Sequence, residues 1–230
     1  MMTDVPDPTG GWAKATEEGA KASREAIQAS RELGRFFSGP AGELVGMWWD
    51  HLKVVRFERQ VRLWERVRHF CNERGLLAPT RKIPLNIGAP LLENATLEED
   101  DGLQDVWARL LVNSADVSSG IEPRRGFVSV LAEMSLLDVR NLAEIWNATK
   151  LNDEGGPIGV WTYELPERAI PARNADPERD PNPSPDVEIS LSNLARLGCI
   201  ISSNRAPVLQ THHLVNLTPF GRALIEACAK

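Results

Sequence analysis

Residues 43–74 carry the pattern that most limits what this chain can become. Val54, Phe57, Val61, Trp64 and Cys71 recur at steps of three, four, three and seven, while Arg56, Arg59, Arg62 and Arg66 fall on the opposite side. Apolar residues at that spacing make one stripe of a helix, so the pattern predicts a long amphipathic helix from about Glu43 to Arg74. Gly75 stands where a left-handed residue would end it. Near its start, Met47, Trp48, Trp49, Leu52, Val54 and Val55 leave little polar face. That end needs burial, a partner or lipid.

The surrounding sequence extends a helical reading. Residues 1–11 are polar and hold Pro and Gly, which predicts a disordered tail. From Trp12 to Phe37, Ala15, Gly19, Ala22, Ala26, Ala29 and Leu33 form a narrow seam. Small side chains admit a close neighbour but bury little area, so this segment needs to dock or pair. "SGPAG" at 38–42 separates the two helices, and residues 12–75 read as a unit for oligomerisation or partner binding.

A helical core is expected over 76–149. Pro84 and Pro90 in "RKIPLNIGAPLLEN" predict an extended or broken connection leading into short helical turns. Next comes "ATLEEDDGLQDVWARLLVN", where Thr96 and Glu99 match a capping box and Glu98, Asp100 and Asp101 would complement the positive end of the helix dipole. Leu103, Trp107, Leu110 and Leu111 supply the buried face. Further helices are predicted at about 125–134 and 136–149, with Ser135 and Asp138 as a cap-like pair before Leu142, Ile145 and Trp146.

Residues 150–186 are rich in Pro, Asp and Asn and read as a loop or insertion, with "IGVWTYEL" as a short strand. From 187 to 230 the order is helix, two strand-like runs ("IISSN" and "HHLVNLT") and a closing helix with Pro219 at its first position. The fold class expected is therefore mainly α: a helical N-terminal half followed by a winged-helix-like C-terminal region with a small β-hairpin, packing with 125–149.

Few chemistries find a motif. Four consecutive acids, Glu98 to Asp101, point in diverging directions on a helix, and the EF-hand spacing is absent. His212 and His213 are adjacent in a predicted strand, so their rings face opposite sides. Cys71, Cys199 and Cys228 contain no CxxC and suggest neither a disulfide framework nor a thiolate metal site. No G-x-S-x-G elbow and no phosphate-binding glycine loop occurs. The expectation is a protein that is not an enzyme, with no metal, cofactor or small-molecule substrate.

Trp48, Trp49, Arg56, Arg59, Arg62 and Arg66 are the candidate partner- or membrane-binding residues. Two readings of the arginines stand side by side. They form a solvated face balanced by the acids of residues 93–105, or a basic amphipathic surface for anionic lipid, an acidic protein groove or self-association. Nucleic acid is disfavoured. The net charge is −6, and the helix that would enter a major groove offers Asp186 and Glu188 against Arg196 and Asn193, with Arg205 alone on the wing. The N-terminal residues lack a signal-peptide order and no run of about 18 apolar residues occurs, which predicts a cytoplasmic protein, with attachment to the inner membrane face as the alternative.

The run from Ile83 to Asn113 resembles the abortive infection alpha family of bacterial proteins associated with phage defence. Pro84, Pro90, Leu92, Glu93, Ala95, Leu97, Glu98, Glu99, Leu103, Gln104, Trp107, Ala108, Leu110, Leu111 and Asn113 carry the likeness. Phe127, Val128, Leu131, Ser135, Leu137 and Asp138 continue it, and "LARLGCI" and "LTPFGRAL" hold it more loosely at the end. The stretch 150–186 is longer than the family pattern. The resemblance implies a defence role and brings no catalytic residues with it. The leading expectation is a non-enzymatic defence protein that oligomerises or binds protein through its N-terminal helices. The alternatives are a membrane-surface effector and a winged-helix DNA-binding regulator.

Overall fold

The computed structural model describes residues 57–150, 159–174, 182–202 and 212–229, together with Gln28 and Arg35. Predictions made for the tail, the small-residue helix and the tryptophan-rich start of the second helix lie outside these residues.

Seven α-helices and a small antiparallel sheet make up the described chain. α1 (Phe57–Glu73) ends as the sequence predicts: Gly75 is left-handed at φ 65°, with its amide on the Asn72 carbonyl and that of Leu76 on Cys71. α2 spans Leu85–Leu97 and α3 spans Asp101–Ala115. α4 (Arg125–Leu131) and α5 (Leu136–Lys150) follow. α6 (Pro185–Arg196) and α7 (Pro219–Ala229) flank the strands β3 (Ile200–Ser202) and β4 (Leu214–Leu217).

Two sequence expectations are corrected in this region. "PLNIGAPLLEN" is a continuous helix through Pro90, not a broken connection. Proline removes one donor to the carbonyl four residues back, but Asn86, which loses it, is solvent-exposed, and the buried Ile87, Leu91, Leu92 and Ala95 hold the helix against its neighbours. The capping box at Thr96 and Glu99 does not form either. Thr96 is in the last turn of α2, its hydroxyl donating to the Leu92 carbonyl at 2.8 Å. The cap of α3 is Asp100, whose Oδ1 accepts from the Leu103 amide at 2.9 Å. An aspartate at this position satisfies a free first-turn amide at least as well as threonine, and placing the cap four residues later leaves Thr96 free to close the preceding helix.

By contrast, Ser135 and Asp138 pair reciprocally at the start of α5. The Ser135 amide donates to Asp138 Oδ2 at 2.7 Å and the Asp138 amide to Ser135 Oγ at 3.2 Å.

α3 is the centre of the packing, lying against α1, α2 and α7, while α5 packs on α6 and α7. Its expected face is buried at Leu103, Trp107, Leu110 and Leu111, and over Val112–Ala115 burial extends to every side. One apolar core runs from Leu63 of α1 through Trp107 and Ile145 to Val215 and Leu224, so the helical half and the sheet-bearing half share an interior.

The hairpin β3–β4 pairs Ile200 with Leu217 and Ser202 with Val215. It is the larger part of a four-stranded sheet ordered β2-β1-β4-β3, because the segment read as a loop supplies β1 (Val160–Trp161) and β2 (Ile170–Pro171). The "IGVWTYEL" strand is thus present, and β2 is an addition that its short, proline-containing sequence did not signal. His212 and His213 precede β4. His212 is buried, and the His213 ring stacks on Trp161 with centroids 5.7 Å apart.

Candidate functional site

The arginine stripe of α1 and the acids at the start of α3 meet each other. Arg59 donates to the Leu97 carbonyl at 2.9 Å and pairs with Glu99. Arg62 reaches Asp101 at 3.0 Å. Arg66 reaches the same Asp101 oxygen at 2.8 Å and Asp105 at 2.7 Å. Beneath them the buried Gln104 amide donates to the backbone carbonyls of Arg59 and Glu98, tying the two helices through main chain. Glu98 folds back to accept from the amides of Glu99 and Asp100. Each acid of the cluster therefore has a named partner, and none converges with the others on a cation. Among the described residues no group of three His, Cys, Asp or Glu side chains could hold a metal.

Magnitudes decide what this network does. The pairs are half-exposed and screened by salt, so each contributes on the order of 0.2 to 1 kcal/mol. Burial of Leu63, Val67 and Phe70 on the same helix is worth roughly 1.5 to 3 kcal/mol per side chain. The apolar contact holds α1 in place, and the arginines set its register and rotation.

This geometry also corrects the orientation of α1. The side facing the core carries Gln60, Leu63, Val67 and Phe70 and lies between the two stripes singled out in the sequence. The arginines form one flank, and the supposed core stripe forms the other, where Val61, Trp64 and Cys71 are only half-buried. A Leu63-Val67-Phe70 spacing of four and three was the available signal. It was masked by arginines next to it. Of the candidate binding residues, Arg59, Arg62 and Arg66 come together on α3, and Trp48, Trp49 and Arg56 lie outside the described residues.

A second polar centre has no sequence motif. Asp116, 4% exposed, follows α3 and accepts from the Ser118 amide at 2.9 Å and the Ser118 hydroxyl at 2.8 Å. The Thr80 hydroxyl stands at 3.4 Å and Arg74 at 3.9 Å. Burial alone would push this carboxyl up. The Ser118 hydrogen bonds, with Arg74 and Thr80, outweigh it and hold the group below the ordinary carboxylate value. The unfolded chain therefore takes up this proton first. The stabilisation is complete above the ordinary carboxylate pKa of about 4 and is lost as pH falls through the depressed folded value. Urea unfolding at pH 7 and pH 3 should show that loss, reduced in Asp116→Asn.

The cysteines are held as thiols. Burial, with Asp138 nearby, pushes Cys199 up to about 11, and burial, with Cys199, pushes Cys228 up to about 12. Burial also raises Cys71, with Arg74 opposing and Asp116 adding. A thiol so shifted is a poor nucleophile at neutral pH.

Fold and site together define a mainly helical protein with a small antiparallel sheet in its C-terminal part, whose basic stripe is closed by an acidic helix start of its own. The chain belongs to the abortive infection alpha family, whose model matches residues 58–228 and so reaches from the arginine stripe to the last helix. No curated protein and no solved structure matches it.

Proposed function

We propose that this protein serves phage defence of the abortive-infection type without catalysis of its own, by self-association or protein binding through its N-terminal half. The observation that carries this is the state of α1. Arg59, Arg62 and Arg66 are spent on Glu99, Asp101 and Asp105, and the opposite flank is partly covered, with Val61, Trp64 and Cys71 half-buried and Leu77 beyond them fully exposed. Partially covered apolar surface of this kind suits a protein contact.

DNA regulation by a winged helix finds less support. On α6, Asn193 is engaged with the Glu133 carbonyl and Asp138, and Arg196 with Glu133 at 2.8 Å. On this helix the two groups suited to reading bases already have partners. Residence in the cytoplasm is the compartment this reading requires. No helix of the described residues is long and apolar enough to cross a membrane.

Size-exclusion chromatography with light scattering tests the reading. The expected mass is a multiple of the 25.5 kDa chain, or that of a complex with a host protein. A strict monomer that captures no partner and leaves phage plating unchanged on expression would refute it.

A further inference from the structure

The turn between α1 and α2 presents four apolar residues in succession, Leu76-Leu77-Ala78-Pro79, from a base fixed at both ends. On one side the left-handed Gly75 and the Leu76 amide on the Cys71 carbonyl, 2.8 Å, hold it to α1. On the other the amides of Thr80 and Arg81 donate to the Ala115 carbonyl at 3.0 and 2.9 Å. The Leu77 side chain is fully exposed. Behind it lies a groove of about 220 Å³ lined by Arg35, Trp64, Arg68, Cys71, Leu76 and Leu77, with no carboxylate among the described residues of its wall.

The charge around this tip is opposite to that of the chain. Arg68 is exposed and makes no ion pair among the described residues, in contrast to Arg59, Arg62 and Arg66 on the same helix. Lys82 is exposed just past the turn, its amine donating to the backbone carbonyl of Arg35. The nearby acids on α1 are Glu65 and Glu73, the latter 3.2 Å from His69. An apolar tip flanked by cations on a protein of net charge −6 selects an anionic, amphipathic surface locally and is repelled elsewhere.

We propose that this turn docks on an anionic lipid surface, with Leu77 entering the headgroup boundary and Arg68 and Lys82 meeting the phosphates. A lipid surface fits better than a partner helix. The groove is smaller than the roughly 300 to 1,000 Å³ of a typical ligand site, whereas interfacial contact requires only an apolar tip and flanking cations. The contact lies away from the arginine stripe but shares Leu77 with the protein contact proposed above, so vesicle binding and assembly mass measured on the same variants tell the two apart.

Co-sedimentation of the full chain with phosphatidylglycerol and with phosphatidylcholine vesicles at low salt tests this. Binding is expected to the anionic vesicles alone and to weaken as salt rises. Leu77→Asp should reduce it on the order of tenfold or more and Arg68→Glu severalfold, while Ile189→Asp, at another exposed apolar position, leaves it unchanged. Absence of wild-type binding, or a Leu77→Asp protein that melts and binds like wild type, would overturn the proposal. So would loss of assembly mass in Leu77→Asp without vesicle binding, which would make the tip a protein contact. Vesicle binding by a monomer would support it and remove the self-association reading.

Discussion

Trp107→Ala should destabilise the protein by about 3 to 5 kcal/mol, the largest effect expected of any single truncation in the chain. Trp107 is 1% exposed and sits on the buried face of α3, the helix against which α1, α2 and α7 all pack. Removing the indole leaves a void that cannot close from one side, because the neighbouring helices are held by contacts of their own: Leu63 and Val67 on α1, Leu91 on α2 and Leu224 on α7. Since domains are stable by only about 5 to 15 kcal/mol, a loss of this size removes a large share of the folding free energy. Denaturant unfolding followed by circular dichroism checks it. A loss below about 1 kcal/mol would mean that α3 is not the centre of the core.

Gly221→Ala is expected to run against the usual trend. At an open helical site the exchange stabilises by roughly 0.5 to 1 kcal/mol, because alanine has less backbone freedom to lose. Here a Cβ would stand 2.1 Å from the Cys199 carbonyl oxygen and 2.8 Å from its carbon. That carbonyl cannot retreat freely. It accepts from the Thr218 amide and hydroxyl, each at 3.0 Å, and the same hydroxyl caps α7 by accepting from the Gly221 amide at 2.9 Å. α7 must therefore move off the start of β3, at a cost of about 2 to 3 kcal/mol as for other overpacked sites. Thermal unfolding reads the sign directly, and a stabilised variant would show that the two segments are not held together as described.

Much of the helical architecture can be read from residue spacing, and the places where reading failed share a cause. Leu103, Trp107, Leu110 and Leu111 are legible because they fall in one stripe at helical spacing. α1 was harder. Its core side carries Gln60 and only three apolar residues, Leu63, Val67 and Phe70, and is bordered by two louder patterns, so spacing points to the half-buried Trp64 flank as the interior. Thr96 and Asp100 both have the chemistry of a cap, and only the packing of α2 through Pro90 decides between them. β2 is two residues long and is formed by pairing with β1, so no local pattern could reveal it. The Asp116 centre joins residues from 74 to 118 that are distant along the chain.

The candidate site was legible in part for the same reasons. Opposite charges on successive helices, Arg59, Arg62 and Arg66 against Glu99, Asp101 and Asp105, were visible as complementary sets in the sequence, and the fold brings them into contact. The exposed Leu77 could not be recognised, since one leucine in "GLLAP" carries no sign of whether it is covered.

Whether the arginine stripe belongs to the fold is measured most directly by a double-mutant cycle between Arg66 and Asp105. Arg66→Ala, Asp105→Ala and the double variant should give a coupling energy of about 0.5 to 1 kcal/mol in urea unfolding, discounted for the half-exposed aspartate and shrinking in molar salt. The assembly mass of Arg66→Ala should match that of the wild type. A coupling of zero, with Arg66→Ala stable but altered in mass, would return the arginines to the surface as partner-binding residues and contradict the account.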